Sequence, residues 1–251
     1  MAGSDPITEK EHGAKIRTMF DRISRRYDLA NRIISAGRDL AWRRHAAALL
    51  GDLHGKSVLD LCCGSGDFLA ILRKKYGSTI ELCGIDFAPR MLELAQKRLA
   101  PRSAPILLLC RADALKLPLA DESVDAVTIG FGIRNISDRP AALGEIRRIL
   151  RPGGKVVMLE PAIPENRIAR ILFSFYFKWI APLLGGIITG DRAAYAYLME
   201  STAGFPPPEE FLDMMNTAGY AALKAISQTF GTAMIYYGEK EARKTALPPK
   251  R

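Results

Sequence analysis

Apolar residues follow two rhythms that take turns along the chain. Runs in which nearly every residue is apolar fall at 56–62, 80–86, 105–111, 124–131 and 154–160. Between them, apolar residues recur every three or four positions over 66–76, 89–99 and 139–150. The first rhythm predicts strands buried on both faces, and the second predicts helices that cover them. Their alternation predicts an α/β fold with a mostly parallel sheet and helices on both faces. Pro89 suits the first turn of its helix. Arg151-Pro152-Gly153-Gly154 makes a strong turn before the fifth strand.

The ends of the chain follow other patterns. Residues 1–12 are polar and predict disorder. Ile16, Met19, Phe20 and Ile23 predict a helix over 14–23, and another is expected over about 40–50. Between them Tyr27, Asn31 and Trp42 stand out as large or polar side chains among aliphatics. After Glu160 the alternation stops, and 164–217 reads as two or three helices. Segments 219–228 and 232–238 are rich in β-formers, with Phe230-Gly231-Thr232 as a hairpin turn. They bring the expected strand count to seven. The tail from Glu239 is charged and expected to fray. One domain over 1–251 accounts for this order: an N-terminal helical segment at 1–50, a core at 51–160, a helical insertion at 161–218 and C-terminal strands at 219–240.

The stretch from Ile168 to Ile188 is apolar enough in length to cross a bilayer. Arg170 and Lys178 lie inside it, and Pro182 and Gly185-Gly186 interrupt it. Ile168, Ile171, Leu172, Phe175, Trp179 and Leu183 share one helical face. The pattern favours a helix that covers an apolar site or touches a membrane surface over one that spans.

Composition adds two points. The formal net charge of +9 suits an acidic partner surface, nucleic acid or anionic membrane, or it solvates helices. No cluster of Lys and Arg accompanies the candidate site loops, so nucleic acid is not the expected partner. The four cysteines, Cys62, Cys63, Cys83 and Cys110, sit in or beside apolar runs without the spacing of a zinc site. They read as small hydrophobes of a reducing cytoplasm, and no metal is expected.

The chemistry gathers where strands end. Gly64-Ser65-Gly66 follows the first strand and opens the next helix, as a nucleotide-binding turn does. Asp86 closes the second strand 22 residues after Gly64, the offset at which a carboxylate meets ribose hydroxyls. The position of a third glycine is Leu69, and Asp60 and Asp67 flank the turn, which argues against a pyrophosphate and suits a cation. Asp113 and Ala114 follow the third strand, where an adenine would lie. Gly130-Phe131-Gly132-Ile133-Arg134-Asn135 follows the fourth. There Arg134 suits an anionic oxygen or a water and Asn135 a hydroxyl or carbonyl. The plain alternative is a solvated arginine and a capping asparagine.

The segments LDLCCGSGD and GIDFAPRML resemble the first two motifs of Rossmann-like class I methyltransferases. YDLANRIISAGRDLAW and RILRPGGKVVMLEPA are similar to the signatures of the quinone C-methyltransferases of menaquinone and ubiquinone biosynthesis. FGIRN, AYAYLMEST and Phe205-Pro206 are similar too. This chain carries Ala30, Asp39, Ser65 and Gly130 where that family usually has Met, His, Thr and Ser. The resemblance implies S-adenosylmethionine held by Asp60, Gly64, Ser65, Gly66, Asp86, Asp113, Ala114 and Gly130. It implies a prenylated quinol as substrate, peripheral contact with an anionic membrane, and leaves room for a homodimer. Arg134, Asn135, Tyr27 and Asp39 are the expected substrate-side residues. The base stays open among His45, Asp39, Tyr27 and Tyr195. Other readings are methylation of another small lipophilic or nucleic-acid substrate, or a non-catalytic binding protein.

Overall fold

The computed structural model describes residues 9–99 and 107–242. Its strands are β1 (Ser57–Leu61), β2 (Glu81–Asp86), β3 (Leu107–Arg111), β4 (Val124–Gly130), β5 (Leu150–Pro161), β6 (Tyr220–Gln228) and β7 (Ala233–Lys240). Its helices are α1 (Glu9–Ile34), α2 (Arg38–Leu49), α3 (Asp67–Tyr76), α4 (Pro89–Leu99), α5 (Arg139–Ile149), α6 (Arg167–Phe175), α7 (Ala181–Thr189), α8 (Arg192–Ala203) and α9 (Pro208–Thr217). The strands form one sheet of seven in the order β3-β2-β1-β4-β5-β7-β6. Pairs among β1 to β5 are parallel, and β7 runs antiparallel to both β5 and β6.

Both faces of the sheet are covered, because successive side chains on a strand point to opposite sides. Val58 joins Ala46, Leu50, Leu69 and Leu72 in one apolar layer under α2, α3 and α4. Leu59 and Leu61 join Leu143, Ile146, Phe211 and Met215 in the other, under α5 and α9. A continuous apolar strand is the sequence image of this double burial. A smaller cluster of Ile23, Ala30, Ala194 and Tyr195 fixes α1 to α8.

The sequence reading fails at four places. Helix α1 is one element of 26 residues rather than a helix over 14–23 and a separate segment. The polar residues 9–12 lie within it, while 1–8 fall outside the described residues. Glu239 and Lys240 belong to β7, paired with Lys155, Ala221 and Tyr220, so the tail begins later than expected. The block 164–217 holds the expected three helices when α6 and α7 are taken as one, but α9 packs on β6 as part of the sheet's cover. The largest departure concerns α6 and α7. They run together through a π-helical turn at Tyr176–Ile180. The face expected to cover an apolar site or touch a membrane surface points outward, away from any site: Ile168 is 71% exposed, Phe175 61% and Trp179 62%. The opposite face, with Phe173, Tyr176 and Phe177, is turned inward.

Candidate active site

The sheet order reverses between β1 and β4, which leaves a crevice beyond the carboxyl ends of the strands. A cavity of about 770 Å³ fills it. Asp60, Gly64, Ser65, Asp86, Asp113, Ala114 and Gly130 all line this cavity. Gly66 does not. It takes φ 85° to start α3, and a side chain there would press on Ala95 and Leu99 of α4 at 3.2 Å. Two other wall residues, Cys62 and Phe131, hold left-handed backbone at φ 56° and 61°, which costs about 1 kcal/mol or more for a side chain of this kind.

Two buried carboxylates face the cavity with only neutral hydrogen-bond donors. Asp86 Oδ2 accepts from the Gly64 amide at 2.8 Å and Oδ1 from the Ala88 amide at 2.9 Å. Burial pushes its pKa up to about 6 against these amides. Asp60 Oδ1 accepts from Thr128 Oγ1 at 2.7 Å, and burial pushes its pKa up to about 7. Each retains unused acceptor capacity on the cavity side. Asp113 is exposed at the rim, where its carboxylate accepts from the Leu115 amide at 2.9 Å. At Gly130 a Cβ would meet Phe68 at 2.8 Å, and at Gly132 it would meet Cys62 Cβ at 2.5 Å, so a side chain at either position would have to displace its neighbour.

A second cavity of about 90 Å³ adjoins the first, with Tyr27 and Phe131 in both walls. Arg134, Asp39, Asn31, Phe173, Tyr176 and Phe177 also line it. Arg134 is buried rather than solvated. Its Nη1 donates to Glu160 Oε2 at 2.8 Å, while its Nε is buried without a partner. The pair holds the guanidinium proton more firmly than usual against the opposing effect of burial. Asn135 borders the larger cavity, and its Oδ1 accepts from Tyr197 Oη at 3.1 Å. Asp39 is committed to Arg43 at 2.8 Å, to Ser35 Oγ at 2.9 Å and to Arg32. His45 is exposed against Gln228, and Tyr195 sits in the α1–α8 cluster; neither lines either of these two cavities. Among the described residues no group of three or more metal-binding side chains gathers.

The sequence matches the ubiE/COQ5 methyltransferase family over residues 8–240. The chain belongs to that family. It is 44% identical to the demethylmenaquinone methyltransferase of Thermus thermophilus over 222 residues, 88% of this chain and 100% of that one. It is 38% identical over 236 residues to the protein of the same name from Staphylococcus aureus, 94% of this chain and 97% of that one. Among solved structures, a Thermotoga maritima SAM-dependent methyltransferase, titled a possible histamine N-methyltransferase, shares the fold. Its TM-score is 0.62 at 18% identity, over 89% of this chain and 99% of that one. Haemonchus contortus phosphoethanolamine N-methyltransferase 2, solved with S-adenosylhomocysteine, gives a TM-score of 0.60 at 13% identity, over 80% and 52% of the two chains.

As a ubiE/COQ5 methyltransferase the protein takes S-adenosylmethionine as its methyl donor. The larger cavity fits that molecule. Two buried carboxylates without a hydrogen-bonded cation suit a ligand that brings hydroxyls and positive charge but no phosphate. The family member also closes its cavity in a way that local motifs do not reveal. Helix α1 lies against the crevice, with Ile16, Phe20, Tyr27 and Asp28 on its wall. Ser65 Oγ donates to Asp28 at 2.6 Å, and Asp28 also pairs with Arg98 of α4. Asp67, at the start of α3, pairs with Arg32 at 2.7 Å, with Arg98 at 2.7 Å and with Arg43 at 3.5 Å. Residues missed by sequence reasoning, among them Asp28, Arg43, Glu160 and Tyr197, act across 24 to 70 positions of chain. No spacing rule reaches that far.

Proposed function

We propose that the protein methylates a ring carbon of a prenylated quinol, as the names of its relatives suggest for demethylmenaquinol. One observation carries this reading. The small cavity shares the walls Tyr27 and Phe131 with the larger one, and Arg134 presents a buried, unpartnered Nε–H there. S-adenosylmethionine, when bound, supplies a methyl group on a positive sulfonium.

The chain's own residues do the rest. Asp86 receives the ribose hydroxyls, and Gly64, Ser65, Asp113 and Ala114 complete that side of the cavity. Glu160 fixes the Arg134 guanidinium and keeps it charged. Arg134 therefore acts as a donor to the substrate oxygen that loses its proton, not as a base. Ionising that hydroxyl enriches the neighbouring ring carbon, to which a bound cofactor would supply its methyl, and the hydrogen on that carbon then leaves as a proton to restore the aromatic ring. Asn135, oriented by Tyr197, holds the substrate's second oxygen. Asp39, bound to two guanidiniums, has no free oxygen for proton transfer. Tyr27 borders both cavities, which makes it the relay for the departing proton. Phe173, Tyr176 and Phe177 shelter the start of the hydrocarbon tail.

The outward stripe of α6 and α7 is the membrane seat of this reading. The stretch Arg167–Thr189 is long and apolar enough to cross a membrane, with a mean hydropathy of 1.7. Its other face is held to α1: Tyr176 Oη donates to the Ile34 carbonyl at 2.8 Å and Arg26 to the Ile188 carbonyl at 2.8 Å. Half-burial of this kind favours lying in the interface over spanning.

The deciding experiment supplies labelled S-adenosylmethionine and demethylmenaquinol in anionic vesicles. Methyl transfer to the ring is the expected result. Transfer to a nucleic acid, or no transfer to any quinol, overturns the reading. Arg134→Gln combined with Glu160→Gln leaves no lone buried charge. That variant should lose at least a hundredfold in turnover while cofactor affinity stays within threefold of wild type.

A further inference from the structure

The turn between β6 and β7 holds its backbone under strain. Thr229 and Phe230 are both left-handed, at φ 42° and 57°, ahead of Gly231 at 88°. Neither the β-branched Thr229 nor the bulky Phe230 takes this conformation readily. The turn is nonetheless tied down. Trp42 Nε1 donates to Thr229 Oγ1 at 2.8 Å, and the Thr232 amide donates to the Gln228 carbonyl at 3.1 Å. Gly231 lies on the loop before α6, where a Cβ would sit 3.1 Å from the Pro164 Cα. Phe230 is thereby held away from the fold, 88% exposed. No burial of its ring within the chain offsets the strain.

Neighbouring elements share the pattern. The small cavity is walled by Thr232 after the turn, Pro161 at the end of β5, Phe173 of α6 and Ile34 of α1. Each has an exposed apolar residue one or two positions away in the chain: Phe230, Ile163, Leu172 and Ile33. Single exposed apolar residues are ordinary. A set shared by four elements that wall one cavity marks an interaction surface. Charge narrows the partner. From Asn166 to Gly190 the chain carries Arg167, Arg170 and Lys178, all exposed, and no acidic residue. Arg38, one turn before Trp42 on α2, is exposed too. Apolar side chains among cations suit an anionic lipid surface.

We infer that the β6–β7 turn is a second membrane anchor, with Phe230 entering an anionic lipid surface beside Ile163 and Leu172. The inference rests on the membrane seat proposed for α6 and α7 and goes beyond it by adding a contact from a different element. A single helical stripe leaves the molecule free to roll about the stripe's axis. A second contact off that axis stops the roll and seats the small cavity against the bilayer. A substrate with a hydrocarbon tail then enters from lipid without crossing water.

Phe230→Asn separates this role from a structural one. Asparagine tolerates left-handed backbone, so the variant should melt no lower than wild type. Its partition onto phosphatidylglycerol vesicles should fall at least fivefold, since one side chain strengthens a contact made mainly by the stripe. Turnover with a soluble, tail-less quinol should stay within twofold. In Phe230→Trp with Trp179→Phe, brominated acyl chains should quench fluorescence well beyond the level seen with Trp179→Phe alone. Unchanged partition of Phe230→Asn, or no added quenching, overturns the inference and leaves the seat on α6 and α7 standing. A lower melting temperature for Phe230→Asn returns the residue to the fold and overturns it as well. So does a dimer in analytical ultracentrifugation that Phe230→Asn dissociates, which gives the turn to a second copy of the chain. Wild type that stays off the vesicles at low salt overturns the membrane seat itself.

Discussion

Asp86 and Asp60 show what single residues contribute and what they cost. Both carboxyls titrate higher in the folded protein than the ordinary value of about 4, at about 6 and about 7. A folded-state pKa raised in this direction means that the fold binds protons more tightly than the unfolded chain. The ligand-free protein therefore loses stability as pH rises from about 4 through 7, and none of this penalty applies below it. Asp60→Asn keeps an acceptor for Thr128 and removes the charge. It should raise the melting temperature of the ligand-free protein at pH 8 yet weaken S-adenosylmethionine binding, by scanning calorimetry and titration respectively. Equal melting temperatures would refute the account of Asp60. Cofactor binding has the opposite pH sense, since a proton on Asp86 competes with the ribose hydroxyls. Affinity should fall by up to tenfold per pH unit below about 6, and Asp86→Ala should cost about 2–3 kcal/mol at pH 8. Gly64 and Asp86 were legible in the sequence because their spacing follows from one strand–helix–strand unit. Glu160 and Arg43 were not, because each faces its partner only after the sheet has formed.

At the scale of elements, the proposed function gives the two faces of the stretch Arg167–Thr189 two different jobs. Sequence periodicity identified the apolar face but not what lies against it, and a half-exposed helix and a half-buried one have the same pattern. The structure divides the aromatics: Phe173 and Phe177 stack at 4.7 Å on the inner side, and Phe175 and Trp179 stand outside. The sites thus predict different losses. Phe177→Ser should raise KM for long-tailed quinols at least fivefold more than for tail-less analogues, with vesicle binding retained. Phe175→Ser with Trp179→Ser should abolish binding to anionic vesicles and leave KM for a soluble, tail-less quinol unchanged. Wild-type vesicle binding should weaken with added salt, because screening acts on exposed charge. The reverse assignment of the two phenotypes would refute the division. Helix α1 misled for a related reason. Tyr27, Asp28, Asn31 and Arg32 interrupt its apolar rhythm, so it read as two pieces. In the fold these polar residues point into cavities and ion pairs rather than into a turn.

On the scale of the whole molecule, the sheet and its two apolar layers were the most legible part, since burial on both faces writes itself directly into β1 to β5. The packing of α1 was hidden, as it depends on bonds to both halves of the chain. Arg22 reaches Asp191, which caps α8, at 2.5 Å and Arg26 reaches α7, while Asp28 reaches α4 and Arg32 reaches α3. On the proposed function, one helix is therefore a shared partition between the donor cavity and the acceptor cavity. A ligand on either side that settles this partition lowers the ordering cost of the other, and thermodynamics makes the effect mutual. The enzyme should then show an order of addition: S-adenosylhomocysteine should dissociate at least threefold more slowly with a quinol analogue present, by stopped-flow fluorescence of Trp42 and Trp179. Arg26→Ala, which unties the partition from the insertion, should erase that difference and leave each ligand to come and go as though alone.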